Sequence, residues 1–415
     1  MWEPVGLGEK KLDSYRGIVE DALLEDVHRL GRDLRGLRVC HISLTPFGGG
    51  ISEILFALVP LERDLGMRVD WLTSGGSEDF FRLGKQLHNA LQGKTGELAG
   101  VERELFERVN RESAREFPAD RYDAVIVHSH SLLALPRYLA PGTARWAWRC
   151  HLDTSSPDPG VWEFLRPFVE TFRGAVFTME QFVPRDLAGP LVRTIQPAID
   201  PLSPKHRDLP LAECADFVAG LGVDPKLPVL LHVSRLDSWK DPAGLIRSYY
   251  RAKEQVPELQ FVIISSLALD DQETFATLRS VDAEAAKDED IHVYTNLDGF
   301  GDLEVNAFQR VCRVGIVKPL REGFGLFPSE AMWKRRPVLG NRTGGVALQL
   351  ADGLSYCLCD GIEEYADKLV RLIRDEACAR ELGDLGHEHV RTNFLIPRLV
   401  RDEAAFLRAL ADRAG

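Results

Sequence analysis

The strongest constraint on this chain is an alternation, made twice, of short apolar runs with amphipathic helical stretches. The first set of strand-like runs covers residues 37–42, 67–72, 122–127, 146–151 and 174–178. Helical stretches lie between them, among them 51–65, with apolar positions at 54, 55, 58, 59 and 61, then 80–91 and 160–172. A second set begins at 228–233 and continues through 259–264, 291–295, 314–317, 337–339 and 355–359. Such β-α alternation predicts parallel sheets covered by helices on both faces. A polar helical lead-in is expected over 12–34, and three helical stretches from 362 onward, the last over 398–411.

A proline-rich, aperiodic stretch at 196–205 separates the two sets and is expected to be the interdomain linker. At 415 residues the chain also exceeds what one core usually supports. The expected organisation is an α/β chain of two Rossmann-like doubly wound domains, 1–198 and 199–395, facing across a cleft. The helix at 396–415 is left open to pack back on the first domain. Ligands of doubly wound folds sit at the carboxyl ends of the strands, and the motifs below fall there.

Composition removes several classes of function. Acidic residues outnumber basic ones, 63 to 51, for a net charge of −12, which argues against general nucleic-acid binding or a polybasic membrane anchor. The N-terminus lacks an apolar signal core, and no run approaches the roughly twenty apolar residues of a membrane span. Seven scattered cysteines, an odd number, point to buried thiols in a reducing cytoplasm. Cys357-Leu358-Cys359 has no partner pair at zinc spacing, and its alternation suits a strand.

The segment 321–330 concentrates the chemistry. Glu322 and Glu330, seven residues apart, flank Gly323-Phe324-Gly325-Leu326 and a helix expected to begin near Pro328. Amides around 324–327 would then point out of the helix mouth, where anions such as phosphate bind. The bland alternative is an ordinary strand-to-helix turn with Phe324 and Leu326 in the core. Gly48-Gly49-Gly50 lies between a strand and a helix and is either a tight turn needing positive φ or a place where phosphate or sugar approaches backbone. Arg235 and Lys240, after the first strand of the second set, are either surface cations or ligands for a departing diphosphate. His151 ends a first-set strand and can bond a sugar hydroxyl or only tie its loop, while Asp153 can cap the next turn. His128-Ser129-His130 could face a metal, but no carboxylate or cysteine stands at ligand spacing, so no metal is expected.

These elements together resemble the GT-B glycosyltransferases of family GT4, whose E-x7-E hallmark matches Glu322 and Glu330. Within GT4 the chain is similar to the trehalose synthases, which transfer glucose from a nucleotide-glucose to glucose. The likeness runs through Pro46–Gly50, His88–Gly93, Trp148–His151, Ser155–Pro157, Ile199–Ser203, Thr295–Leu297, Val305–Arg310 and Arg321–Leu326. It implies that Arg235 and Lys240 bind the donor diphosphate, Glu330 the ribose and Glu322 the transferred sugar. The amides of Gly325 and Leu326 would meet phosphate, with Gly323 and Phe324 in the same donor loop, and Asn296 and Leu297 would meet the base. Gly49 and Gly50 would approach the donor, His151 a donor-sugar hydroxyl, and His128, His130, Asn89 and Asp153 the acceptor side. The implied enzyme is a retaining hexosyltransferase in the cytoplasm with no resident cofactor or metal, a nucleotide-sugar and a small acceptor as its partners, and an oligomeric state left open, a homodimer included.

The departures fall on the acceptor side. Trehalose synthases carry an aspartate at the position of Ser129, and the residues around the hallmark, 317–320 and 327–329, also differ. A non-glucose acceptor in natural-product assembly, a phosphorylase, a nucleotide-sugar epimerase and a silent sensor therefore stand as alternatives.

Overall fold

Strands buried on both faces tolerate near-continuous apolar sequence, and the computed structural model, which describes residues 2–139, 142, 144–267 and 272–412, builds each unit on such a sheet. The chain divides into two compact units, Met1–Ala198 with Ile396–Gly415, and Ile199–Leu395.

Unit 1 contains β1 (Glu3–Pro4), α1 (Asp21–Asp33), β2 (Arg38–Ser43), α2 (Gly50–Asp64), β3 (Arg68–Thr73), α3 (Glu78–Leu91) and α4 (Gly100–Glu116). It continues through β4 (Ala124–Val127), β5 (Arg145–Arg149), α5 (Pro159–Val169), β6 (Gly174–Phe177) and β7 (Leu191–Thr194). Among the described residues the sheet order is β1-β3-β2-β4-β5-β6-β7, parallel except for β1 on β3. The order reverses at β2, between β3 and β4, so the loops leaving β2 and β4 diverge and open a crevice at the carboxyl edge. Those loops carry Gly48–Gly50 and His128–His130.

Unit 2 contains α6 (Leu211–Gly220), β8 (Val229–Ser234), α7 (Pro242–Lys253), β9 (Gln260–Ser265), α8 (Gln272–Ala285), β10 (Ile291–Thr295), α9 (Asp302–Val311) and β11 (Val314–Ile316). It closes with α10 (Leu326–Trp333), β12 (Val338–Asn341), α11 (Gly344–Gln349), β13 (Leu358–Cys359), α12 (Ile362–Arg374) and α13 (Glu376–Asn393). The described strands run β10-β9-β8-β11-β12-β13, all parallel. Here the reversal lies between β8 and β11, and the Arg235–Lys240 loop follows the first of these and the hallmark loop the second. The last helix, α14 (Ile396–Asp412), belongs to unit 1 and packs on α1 and α2. Glycine at 174 on β6 makes room for it: a Cβ there would lie 2.7 Å from Phe406 Cζ. Arg398 at its start donates to the Gln196 and Pro197 carbonyls at 2.8 Å.

Several local expectations change. The lead-in is not one helix: a single 3-10 turn at Leu12–Tyr15 is cut off by Gly17 at φ +78°, and α1 begins only at Asp21. Charge-rich α4 buries a stripe of only Phe106, Asn110 and Ala114, and β7 is a short, half-exposed edge. The run 355–359 is mostly a 3-10 turn, leaving two strand residues. The chain enters unit 2 at Ile199, whose amide donates to Phe394 at 2.8 Å, so the linker is paired with the segment that leaves. No helix among the described residues is long and apolar enough to cross a membrane.

Candidate active site

The hallmark loop is shaped from its glycine outward. Gly325 takes φ +69° as the N-cap of α10, and a Cβ there would stand 3.0 Å from Glu322 Cδ, so only glycine allows both the turn and the folded-back carboxylate. This turn starts the helix at Leu326, two residues earlier than expected, which makes Pro328 its third residue. Proline removes one amide from the first turn, and the Ser329 amide donates to Gln349 Oε1 at 3.0 Å. The mouth therefore offers the Gly325, Leu326 and Phe327 amides, a narrower donor set than 324–327.

Gln349, buried at the end of α11, staples this loop. Its Nε2 donates to the Phe324 and Gly325 carbonyls at 2.6 and 2.9 Å, and its Oε1 also accepts from Ser329 Oγ at 2.5 Å. Gly345 lets α11 approach, since a Cβ there would fall 2.2 Å from Phe324 Cα. The Gly345 amide donates to the Glu322 carbonyl at 3.0 Å. Gly323 and Phe324 are thus fixed as backbone of the loop, with the Phe324 ring buried against Phe394.

The loop after β8 meets the hallmark loop through backbone, the Leu320 amide donating to the Trp239 carbonyl at 2.7 Å. That contact brings Lys240 Nζ onto Glu322 Oε2 in a half-buried ion pair. Lys318 pairs similarly with Asp241, which takes the left-handed conformation and caps α7 through the Gly244 amide at 3.0 Å. Arg235 is about one-third exposed, with Nη2 3.5 Å from Asp237 Oδ2. Glu322, Lys240 and Arg235 therefore share the edge where the strand order of unit 2 reverses. On the same edge Asn296 is held by both polar atoms of its side chain, Oδ1 accepting from the Leu267 amide at 2.7 Å and Nδ2 donating to the Leu267 carbonyl at 3.2 Å. Its neighbour Leu297 is left exposed.

Glu330 is placed differently from its partner in the motif. It is buried, with Oε1 2.9 Å from Lys205 Nζ and Oε2 accepting from Gln309 Nε2 at 2.7 Å. Lys334 Nζ donates to Gln309 Oε1 at 2.6 Å, closing the cluster. Burial works to raise the Glu330 carboxyl, but Lys205, His206 and Lys334 outweigh it and hold the group well below the usual carboxylate range. Burial brings Lys334 down to about 7. Both Glu330 oxygens are thus engaged by protein, which the bare motif did not foretell. Lys205 and Gln309 are the residues sequence reasoning missed, although each lies in or beside a stretch that carried the family likeness.

In unit 1, Gly48 and Gly49 adopt φ +93° and +152°, and a Cβ at either would meet nothing within 4 Å, so open space adjoins backbone there. Gly50 is the first residue of α2. His151 follows β5 and is partly buried, its Nε2 3.0 Å from His128 Nδ1. His128 was expected on the acceptor side; instead it is buried, with Nε2 2.9 Å from His41 Nδ1, so both its ring nitrogens face other imidazoles. His41 Nε2 in turn lies 2.9 Å from Glu62 Oε2. His130 Nε2 sits 2.8 Å from the Gly84 carbonyl. Asp153 is buried and caps its own turn, accepting from the Ser155 amide and hydroxyl at 3.1 and 2.6 Å. Asn89 is half-buried on α3, its carbonyl accepting from the Lys94 amide at 3.0 Å. His41 and Glu62 were also missed; the signal was a carboxylate on the apolar face of α2 and an imidazole inside an apolar strand.

Comparison with known proteins completes the assignment. The family "Trehalose synthase, N-terminal domain" matches residues 41–184, and "Glycosyl transferases group 1" matches 216–389. A trehalose synthase of Rubrobacter xylanophilus is 43% identical over 97% of this chain and 98% of its own length. One from Thermococcus litoralis is 36% identical over 94% of each. Among solved structures, an Escherichia coli protein described as trehalose-6-phosphate bound with UDP-2-fluoro glucose superposes with a TM-score of 0.73 at 16% identity, covering 91% of this chain and 99% of that one. The α,α-trehalose 6-phosphate synthase of Burkholderia multivorans gives 0.71 at 17%, covering 92% and 100%. At these identities the superpositions establish the GT-B fold, while the relatives in sequence establish more: the chain is a glycosyltransferase and belongs to the trehalose synthase family.

Proposed function

We propose that the protein transfers glucose, with retention of anomeric configuration, from a nucleoside-diphosphate-glucose to free glucose and so forms trehalose. The observation that carries this reading is the Lys240–Glu322 pair beside the amides at the mouth of α10, in a chain that matches trehalose synthases over almost its full length. In the resting pair Glu322 holds the ammonium in place, and a bound diphosphate offers that ammonium a stronger partner.

The reaction breaks the bond between the sugar's anomeric carbon and a phosphate oxygen and forms one to the acceptor oxygen. The acceptor proton goes to the departing phosphate, and nucleoside diphosphate leaves. Negative charge grows on the phosphate as the bond breaks, and Lys240, Arg235 and the Leu326 and Phe327 amides are the groups suited to stabilise it. With that charge met by side-chain cations and amides, the transfer requires neither a metal nor a resident cofactor, and chelator treatment should leave the rate unchanged. The cysteines lie as free thiols, six of the seven buried, which supports placing the reaction in the cytoplasm.

The test is incubation with a panel of nucleoside-diphosphate-glucoses and glucose, with products identified by mass and NMR. A non-reducing α,α-linked disaccharide formed together with nucleoside diphosphate is expected. Donor binding with no consumption of glucose overturns the acceptor assignment. The alternative of a different small acceptor draws on Ser129, which stands where the family carries aspartate and whose hydroxyl accepts from the Ser131 amide at 3.2 Å. Conversion of another acceptor, with glucose inert, would select it.

A further inference from the structure

The chain Glu62–His41–His128–His151 runs through the core of unit 1 with heavy-atom separations of 2.9, 2.9 and 3.0 Å. Its members come from α2, β2, the end of β4 and the end of β5, and only the last reaches the surface of the unit. We propose that Glu62, His41 and His128 are positioning residues that order the protons along this chain, fixing His151 as the tautomer with Nε2 protonated and Nδ1 bare, ready to accept a hydrogen bond from a substrate hydroxyl.

Proton counting leads to this result. Each of the three contacts needs one hydrogen, and three neutral imidazoles supply three. A carboxylate only accepts, so His41 must carry its proton on Nε2, which leaves Nδ1 bare. His128 must then donate from Nε2, and its bare Nδ1 must receive a proton from His151 Nε2. A single ionised carboxylate at the buried end thereby sets the orientation of every ring. The reverse order needs one more proton, carried by Glu62 as a carboxylic acid or by His41 as an imidazolium.

The surroundings support neutral rings at His128 and His151. Burial, then His41, His151 and Arg149, hold His128 well below the usual imidazole range, and burial, then Arg149, does the same to His151. Charged groups that act on the chain include Arg149 on β5, which faces His128 and His151, and its ion-pair partner Glu403 of α14, which faces Glu62 and His41. Glu62 Oε1 is buried and has no hydrogen-bond partner among the described residues, so the carboxylate acts through Oε2 alone. The same logic orients the histidine of a Ser-His-Asp triad, here extended across two further rings.

Only the hydroxyl contact rests on the proposed transfer reaction; the tautomer does not. Nitrogen-15 NMR of the ligand-free protein labelled at histidine should show His151 Nε2 protonated and Nδ1 unprotonated at neutral pH. A protonated Nδ1 overturns the proposal whether or not transfer is ever observed. Glu62→Gln keeps the shape but can either donate or accept, so the His151 signals should move towards a mixture of tautomers. In the same variant kcat/KM should fall on the order of tenfold, a milder loss than a fully wrong tautomer causes in the triad enzymes. In a His151→Ala background that loss should shrink to about twofold or less, because a relay acts only through its last member. An equal loss with and without His151 would show that Glu62 serves the fold alone.

Discussion

Behind His151, unit 1 buries imidazole rings linked nitrogen to nitrogen, with one carboxylate at the far end; behind the hallmark helix, unit 2 buries ions, Glu330 against Lys205 with Lys334 close by. Both clusters consist of polar side chains removed from water, and both support backbone at a sheet's reversal edge. They differ in what they determine. Proton order fixes which nitrogen of a ring is bare, a directional property, whereas paired charges fix position strongly but carry no direction along the chain. A unit whose task is to offer one hydrogen-bond acceptor is served by the first, and a unit that must hold a helix mouth still against a highly charged ligand by the second.

Lys205→Met is the harshest way to challenge this contrast. It removes the ion-pair partner of buried Glu330, leaving Lys334 as its nearby cation, and should cost about 3–5 kcal/mol in urea unfolding. His128→Leu leaves two buried ring nitrogens without their partner and should cost about 1–3 kcal/mol. Equal costs would erase the distinction between the clusters. The Glu330 carboxyl is lowered in the fold, so its contribution is present above the unfolded value of 4.5 and is lost as pH falls through the folded value. The wild-type protein should accordingly lose more stability on acidification below that point than Lys205→Met does.

Lys240→Ala should reduce kcat by about a hundredfold or more, as removal of one group facing developing charge does elsewhere. A near-normal rate would take the diphosphate away from Lys240. Gln349→Leu should come next. It strands the Phe324 and Gly325 carbonyls and the Ser329 amide, costing about 1–3 kcal/mol, and should raise KM for the donor through a loosened loop. An unchanged KM would separate Gln349 from the site.

Lys334 gives a pH dependence of the same sign as Glu330, in a higher window. Its folded value of about 7 lies below the unfolded 10.5, so between them the unfolded chain binds the extra proton. Stability on this account rises as pH increases from about 7 towards 10.5. Melting temperatures across that window should rise more in wild type than in Lys334→Met, and parallel curves would place the titration elsewhere.

Much of the fold was legible because parallel strands buried on both faces leave near-continuous apolar runs, as at 228–233 and 259–264. Charge-rich α4 was not, since a helix that buries one residue per turn scarcely alters the composition. Glu322 and Lys240 were legible because the hallmark and the loop after β8 are local patterns at strand ends. The partners of Glu330 and His151 were hidden for a common reason: Lys205, Gln309, His41 and Glu62 meet them only through tertiary contact, and no spacing in the sequence marks that meeting. The helix start at Leu326 was misplaced because Pro328 suits the first turn at more than one position, and the decision fell to the positive φ of Gly325.

On binding, the diphosphate is expected to take Lys240 from Glu322. A crystal structure with bound nucleoside diphosphate tests this directly. Lys240 Nζ should lie about 2.7–2.9 Å from a phosphate oxygen, with the anion at the mouth of α10. A diphosphate bound elsewhere, with the Lys240–Glu322 pair undisturbed, would contradict it.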